Sequence, residues 1–431
     1  MIAPLFAVLL LAAQDRPALD SATVTRVLSQ LKASDSAVCA LAGQALTNYG
    51  GWWGYNFSEP TMPMPQPMPT PTPMPGGGFG GVSINMHEGR KPTDPSVRRA
   101  FSAFIRDDNR CVRNIAARAL GNHGGSESYN LFIGMLRETR ADLRETGALG
   151  LGELEDARAI GPLSDALGKD DSPAVRTTAA WALGEIEDKS AIAALTKALS
   201  DRAPEVRRTA AWALGEIEDA HAVQALSTAL KDESVEVRLS AVWALGEIED
   251  KSSVAVLVPA TKDRDARVRQ QAAWALGEIE SAEGITPLET LMRDPVSDVR
   301  KTAIWAMGEI EDRGAVPALA LALKDDDADT RIMAAWALGE IEDASAVDPL
   351  LGALKDKDED VRTTAAWALG EIESPRALEG LTAAQRDEIP SVRHAATSAL
   401  RQIDDDDDDD GDVHVHVNPH VHVNPHVKVK P

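Results

Sequence analysis

Five histidines alternate with valine near the end of the chain: His414, His416, His420, His422 and His426. Along an extended strand, residues two apart share a face, so two or three imidazoles could meet a Zn²⁺, Cu²⁺ or Ni²⁺ ion. No cysteine or carboxylate completes a fixed ligand set. The opposing reading is a low-complexity tail that picks up metal adventitiously, and no firm metal site follows. Other chemistry is absent by pattern: the sequence has no GxSxG, no HExxH, no Walker loop and no Cys–His arrangement. It therefore assigns no catalytic residue and calls for no cofactor.

Tryptophan and glutamate are the side chains that recur with fixed spacing. Trp181, Trp212, Trp243, Trp274, Trp305, Trp336 and Trp367 follow one another at intervals of 31 residues. Four residues after each stands a glutamate: Glu185, Glu216, Glu247, Glu278, Glu309, Glu340 and Glu371. The surrounding words are nearly constant, as in "VRTTAAWALGEIED" from Val175 and "VRRTAAWALGEIED" from Val206. A second recurrent pair is an aspartate with an arginine six residues later, such as Asp201 with Arg207 and Asp232 with Arg238. Its recurrence argues for a structural ladder joining adjacent units rather than for catalysis.

A period of 31 residues is too short for a domain and too long for one helix. Each unit reads as two helices joined by short turns. In "SAIAALTKALSD", Ile192, Leu195 and Leu199 fall on one stripe, and a second helix starts near Glu205 and ends at "GEIED". Pro162, Pro287, Pro317 and Pro349 lie in first turns, where a missing N–H is tolerated. One unit cannot bury both stripes alone, so neighbours must stack. The expected fold is all-α, a right-handed α–α superhelix of about eleven helix pairs, with degenerate outer copies as caps.

These units, of the form "AVxALxxALxDxxxxVRxxAAxALGEIxD", resemble HEAT-like repeats of the phycobilisome-lyase type. The resemblance implies the solenoid fold and, for function, mostly scaffolds that bind peptides or proteins. Deoxyhypusine hydroxylase is a HEAT-like enzyme that holds two irons through His-Glu pairs on its second helices. At the corresponding place this chain has His394 followed by Ala395, and its one His-Glu pair, His87-Glu88, lies outside the repeats. The iron site is missing, and the chain reads as not an enzyme; an oxidoreductase or lyase of the HEAT-like type is the remote alternative.

The helical phase bears on what the tryptophans do. With Ala179 at zero, Val175, Ala182, Leu183 and Ile186 fall within about 60° and form the core stripe. Trp181 lies about 200° away, beside Thr177, Gly184 and Glu185. One reading puts the seven tryptophans and seven glutamates on an open concave groove as ligand contacts. The other lets each indole lie across the glycine one turn later and pack on the neighbouring repeat, or persist through duplication. The position after the ladder arginine has diverged freely: Thr177, Arg208, Leu239, Gln270, Lys301, Ile332 and Thr363.

Five segments divide the chain. Residues 1–13, with an apolar run from Ile2 to Ala13, read as a signal peptide and predict an exported protein, periplasmic or secreted. Residues 20–50 form a first capping repeat, 51–91 an inserted Pro/Met/Gly-rich loop, 92–403 the solenoid, and 404–431 a disordered acidic and His-rich tail. Cys39 and Cys111, at the starts of second helices in the first two units, are a disulfide candidate at the base of the loop.

Net charge is -24, which disfavours nucleic acid, and no later segment predicts a membrane span. The expectation is a monomeric binding scaffold whose partner is a protein or peptide, basic or proline-rich. The chain's own Pro60–Pro75 is the nearest candidate occupant. Metal handling by the His-rich tail and Met-rich loop stands as the alternative function.

Overall fold

The computed structural model describes residues 20–31, 94–122 and 124–405. Among these residues every regular element is helical: ten helix pairs and the first helix of an eleventh, Ser21–Leu31. That helix packs directly against Pro95–Ser102, the first helix of the next unit. The inserted loop lies outside the described residues, as do most of the His-rich tail and Cys39. The last helix, Pro390–Asp405, runs two residues into the aspartate run.

The repeat beginning at Lys189 shows how the words become structure. A 3-10 turn, Lys189–Ala191, leads into the first helix, Ile192–Ala198, and a short turn leads to the second, Pro204–Glu216. Pro204 sits in the opening turn of that helix, where its lost N–H has no intrahelical partner to forgo. The "GEIED" ending closes it. Glu218 takes a left-handed φ of 49° and donates its N–H to Gly215 O at 2.9 Å, which turns the chain. Asp219 then caps the next 3-10 turn by accepting from His221 N at 2.9 Å. One repeat departs. Pro259 falls in the second turn of its first helix, removing a donor, and the helix breaks into Ser253–Leu257 and a 3-10 turn, Ala260–Lys262.

Val206, Ala210, Leu214 and Leu226 are fully buried within and between pairs. Second helices pack on one another far more extensively than first helices do, so the stack is tightest along the second-helix side.

The arginine–aspartate pairs form a ladder, with a different partner from the one the six-residue spacing implies. Within a unit, Arg207 donates to the backbone oxygen of Asp201 at 3.0 Å. Its guanidinium fork reaches Asp232 of the next repeat, 25 residues on, at 2.6 and 2.8 Å. Arg144–Asp170, Arg176–Asp201, Arg238–Asp263, Arg269–Asp294, Arg331–Asp356 and Arg362–Asp387 repeat the bidentate bond. Each aspartate also accepts from a backbone N–H two residues on, as Ala203 N to Asp201 at 2.8 Å. One rung is loose: Arg300 comes only to 3.7 Å of Asp325.

Candidate binding face

Each second helix has two buried sides. One packs on its own first helix, the other on the second helix of the adjoining repeat. The indoles belong to the latter. A Cβ built on Gly184 would lie 2.9 Å from Cζ3 of Trp212, and the same approach links Gly152 to Trp181, Gly215 to Trp243 and Gly339 to Trp367. Each tryptophan therefore lies across the glycine of the preceding repeat, not across the glycine one turn later in its own helix. Trp181, Trp212, Trp243 and Trp305 are 9%, 3%, 6% and 8% exposed. Trp274, Trp336 and Trp367 are partly buried. The expectation of indoles standing open along a groove is corrected in this respect: the phase argument rightly took them off the intra-pair core, but the seam between repeats receives them.

The glutamates sit at the mouth of these seams. Trp243 donates its indole N–H to Glu247, Trp274 to Glu278 and Trp336 to Glu340, each one turn along the same helix. Burial, reinforced by neighbouring glutamates, pushes the Glu216 carboxyl up to about 8. Glu247, Glu278, Glu309 and Glu340 are raised in the same way to about 7. A second row runs alongside. Glu155, Glu187, Glu218, Glu249, Glu280, Glu311, Glu342 and Glu373 hold the left-handed helix-ending position, with φ between 47° and 53°. Burial first, then Glu218 and Glu280, raises Glu249; Glu280 and Glu342 do the same for Glu311. The second row went unread in the sequence, since "GEIED" marks a helix end without saying that its second glutamate turns left-handed.

At the N-terminal end of the rows, Arg118 occupies the position held by tryptophan in later repeats. Its guanidinium donates to Glu153 at 2.6 Å and lies 5.9 Å from the ring centroid of Trp181. Glu153 is the counterpart of Glu185 one repeat earlier. Burial pushes the Glu153 carboxyl up while Arg118 pulls it back. An arginine is thus already held by a carboxylate of this row and the indole of the following repeat.

Comparison with known proteins turns on these repeats. The family described as HEAT repeats matches at residues 97–178, 131–202, 162–234, 225–308, 256–327, 288–356 and 316–401, together more than half of the chain. The chain is a HEAT-repeat protein. Importin beta, solved in an ammonium sulfate condition, aligns at 15% identity with a TM-score of 0.59, over 89% of this chain and 57% of that one. Kap95p, whose binding induces the switch loops of RanGDP to adopt the GTP-bound conformation, aligns at 16% identity and 0.55, over 89% and 56%. This HEAT-repeat protein therefore spans a little over half the length of the importin chains, and the likeness is one of fold. Human deoxyhypusine hydroxylase aligns at 25% identity over 57% of this chain and 96% of that chain, with a TM-score of only 0.28. No curated protein matches the sequence.

The other candidate residues fall as follows. Cys111 is disulfide-bonded, and Cys39, the chain's only other cysteine, lies outside the described residues. His414, His416, His420, His422 and His426 lie outside them too. Among the described residues, no group of three or more His, Cys, Asp or Glu side chains is arranged to hold a metal ion. No helix among them is long and apolar enough to cross a membrane.

Proposed function

We propose that this HEAT-repeat protein is a non-enzymatic scaffold that binds an extended basic, proline-rich protein segment along its concave carboxylate rows. The observation that carries the reading is Arg118, an internal arginine seated between Glu153 and the face of Trp181. The repeats of Glu185 to Glu340 offer a comparable corner, made by the glutamate of one repeat and the indole of the next. The tryptophans act mainly as supports. Wedged in the seams, they space the repeats and, in three of them, orient the glutamate through the indole N–H. The carboxylates carry the recognition, and partly exposed edges of Trp274, Trp336 and Trp367 add an aromatic rim. An extended chain rises about 3.3 Å per residue, so every third residue meets a new repeat spaced about 10 Å away.

Two strands of support bear on the setting. Kap95p, similar in fold, binds a protein partner, and the resemblance to phycobilisome-lyase-type repeats points to scaffolds as well. The disulfide at Cys111 favours an oxidising compartment and hence export, with the mature chain starting near Gln14.

The test titrates the full chain with a dye-labelled, proline-spaced arginine peptide and follows anisotropy. Binding should weaken at least about tenfold when Glu247, Glu278 and Glu309 are all changed to glutamine, each lost charge-assisted contact contributing about 1.5–3 kcal/mol. It should also strengthen from pH 6 to pH 8.5, as carboxyls titrating near 7 ionise. Affinity indifferent to the triple change would end the proposal.

A further inference from the structure

The first two repeats meet through their first helices, Ser21–Leu31 and Pro95–Ser102, and carry a cationic surface in an otherwise acidic chain. A groove of about 740 Å³ lies there, lined by Ser21, Thr25, Arg26 and Ser29 of one helix and by Ser96 and Arg99 of the other. None of the lining residues is acidic, in a chain with 68 aspartates and glutamates against 44 lysines and arginines. Both arginines are exposed, so a ligand can reach their guanidiniums. Neither forms an ion pair or a side-chain hydrogen bond among the described residues. Asp20 and Asp94, whose charge bears on them, are engaged as helix caps, accepting from Thr23 N and Ser96 N at 2.7 Å.

The two arginines are singular along the lattice. Aligned on Val38, Val112 and Val206, Arg99 stands where the repeat of Lys189 has Ala193, and Arg26 where it has Ala194. At steps of 31 residues from there, through Gln224 and Ala225 to Glu379 and Gly380, neither position holds a lysine or arginine again. The opposite charge is concentrated at the other end of the stack. The last helix, Pro390–Asp405, closes on two aspartates with no basic residue in its last turn, and aspartate continues to Asp410. Like charges crowd there beside the negative pole of a helix, an arrangement that a cationic partner relieves.

We propose that the groove of Arg26 and Arg99 receives the aspartate run, Asp404 to Asp410, of a second copy of this chain, joining copies head to tail. Each guanidinium presents a fork that fits a carboxylate, and the hydroxyls of Ser29 and Ser96 add donors. The run of the same chain falls short. Eight helix pairs stand between the groove and the last pair, about 80 Å of stack at about 10 Å per repeat. Seven residues span at most about 25 Å. The contact is heterologous, so it passes from copy to copy instead of closing on a dimer, in place of the monomer expected from the sequence. It is independent of the peptide-binding reading, because the groove lies between first helices and the glutamate rows lie on second helices.

The experiment is sedimentation equilibrium of the full chain, with a chelator present so that the histidines after Asp410 hold no metal. Exposed arginines against a run of carboxylates make a weak contact, with a dissociation constant on the order of 0.1 mM. In low salt the mean mass should therefore rise with concentration, and it should return to one chain near 1 M salt, where the screening length is about 3 Å. Arg26→Glu with Arg99→Glu should weaken association at least about tenfold, and so should asparagine at all seven positions from Asp404 to Asp410. Mixed together, the two variants should pair one to one and stop there, since the first keeps the aspartate run and the second keeps the groove.

A parent chain that stays single in low salt at several times that dissociation constant overturns the proposal. Association that survives the arginine reversal overturns it too, by placing the contact on another surface. A mixture of the two variants that stays single does the same, since each then lacks more than the half it was designed to lose.

Discussion

Replacing Trp243 by alanine separates a seam-packing indole from a groove-lining one. Trp243 is 6% exposed, its ring lies across Gly215 of the preceding repeat, and its N–H is bonded to Glu247. Removing it opens a cavity between two second helices whose backbones already touch through Gly215 and Ala244. The seam has little freedom to collapse, so the loss should fall at about 3–5 kcal/mol, the range for a buried tryptophan cut to alanine. A groove-lining indole would cost within about 0.5 kcal/mol.

The assay is urea unfolding of the full chain by far-ultraviolet circular dichroism, with hydrogen exchange to locate the weakened seam. Because each repeat is stabilised mainly by its neighbours, the variant should also lose cooperativity, the repeats on either side of the seam melting apart. Gly215→Ala should act on the same seam from the other side. Its Cβ would lie 2.8 Å from both Trp243 Cζ3 and the backbone Cα of Ala244, so the repeats must separate, at about 1–3 kcal/mol. Trp243→Phe keeps most of the contact but drops the indole donor, so the Glu247 carboxyl should titrate higher still. A Trp243→Ala protein with an unchanged transition would refute the packing account.

Three further outcomes are expected. Arg238→Ala, which breaks a bidentate bond to Asp263 at 2.7 and 2.9 Å, should cost about 3–5 kcal/mol, whereas Arg300→Ala at the loose rung should cost about 1 kcal/mol; equal losses would dismiss the ladder as the coupling device. Stability should fall as pH rises from 5 to 8.5, because glutamates whose folded carboxyls titrate near 7 to 8 hold more protons folded than unfolded, and that advantage is lost on passing through those values. The ladder aspartates, held low by their arginines, work in the opposite sense below about pH 4; calorimetry should find the maximum between, flattened on the alkaline side by Glu216→Gln with Glu247→Gln, and a melting temperature rising toward pH 8.5 would contradict this. Thiol labelling of the unfolded chain should find no free cysteine until reductant is added, and reduction should lower stability by about 2–4 kcal/mol; two thiols free at the outset would exclude the bridge.

The helix pairs were legible because period, apolar stripe and breakers agree in every unit. "GEIED" announces a helix end followed by an aspartate cap, and Asp188 and Asp219 do cap. What spacing along one unit cannot show is which group stands across a seam. The six-residue aspartate–arginine spacing reports the backbone half of the contact, while the side-chain half runs 25 residues forward. The tryptophan and its small companion were legible in the same partial way. A glycine must accept the ring, but it belongs to the preceding repeat. The phase calculation assumed one buried face per helix, as in a helix lying on a single core. A second helix of a solenoid has two, so "off the stripe" is not "in solvent". Arg118 stands at a tryptophan position of the lattice, and its charge is what places it between Glu153 and Trp181.

The left-handed glutamates show how the rows are maintained against local preference. Glycine is the usual residue at that helix-ending position, and a residue with a Cβ there gives up about 1–2 kcal/mol. Eight glutamates accept that conformation in succession, from Glu155 to Glu373. Glycine would end the helix with less strain and supply the same backbone bond to the carbonyl three residues back, so the turn alone does not call for a carboxylate. What glutamate adds is charge beside the first row, where Glu249 and Glu311 are already pushed upward by burial and by one another's neighbours. The Asp–Arg rungs and the Trp–Gly seams hold the repeats together independently of these side chains, which is why such mutual repulsion is tolerated in the folded chain. Burial holds the carboxyls of Glu216, Glu247, Glu278, Glu309 and Glu340 above the usual carboxylate range, and the left-handed glutamates run beside them. Arg118 fills the first corner from within the chain, between Glu153 and Trp181, and on the proposed reading a basic segment supplies the cations to the later ones.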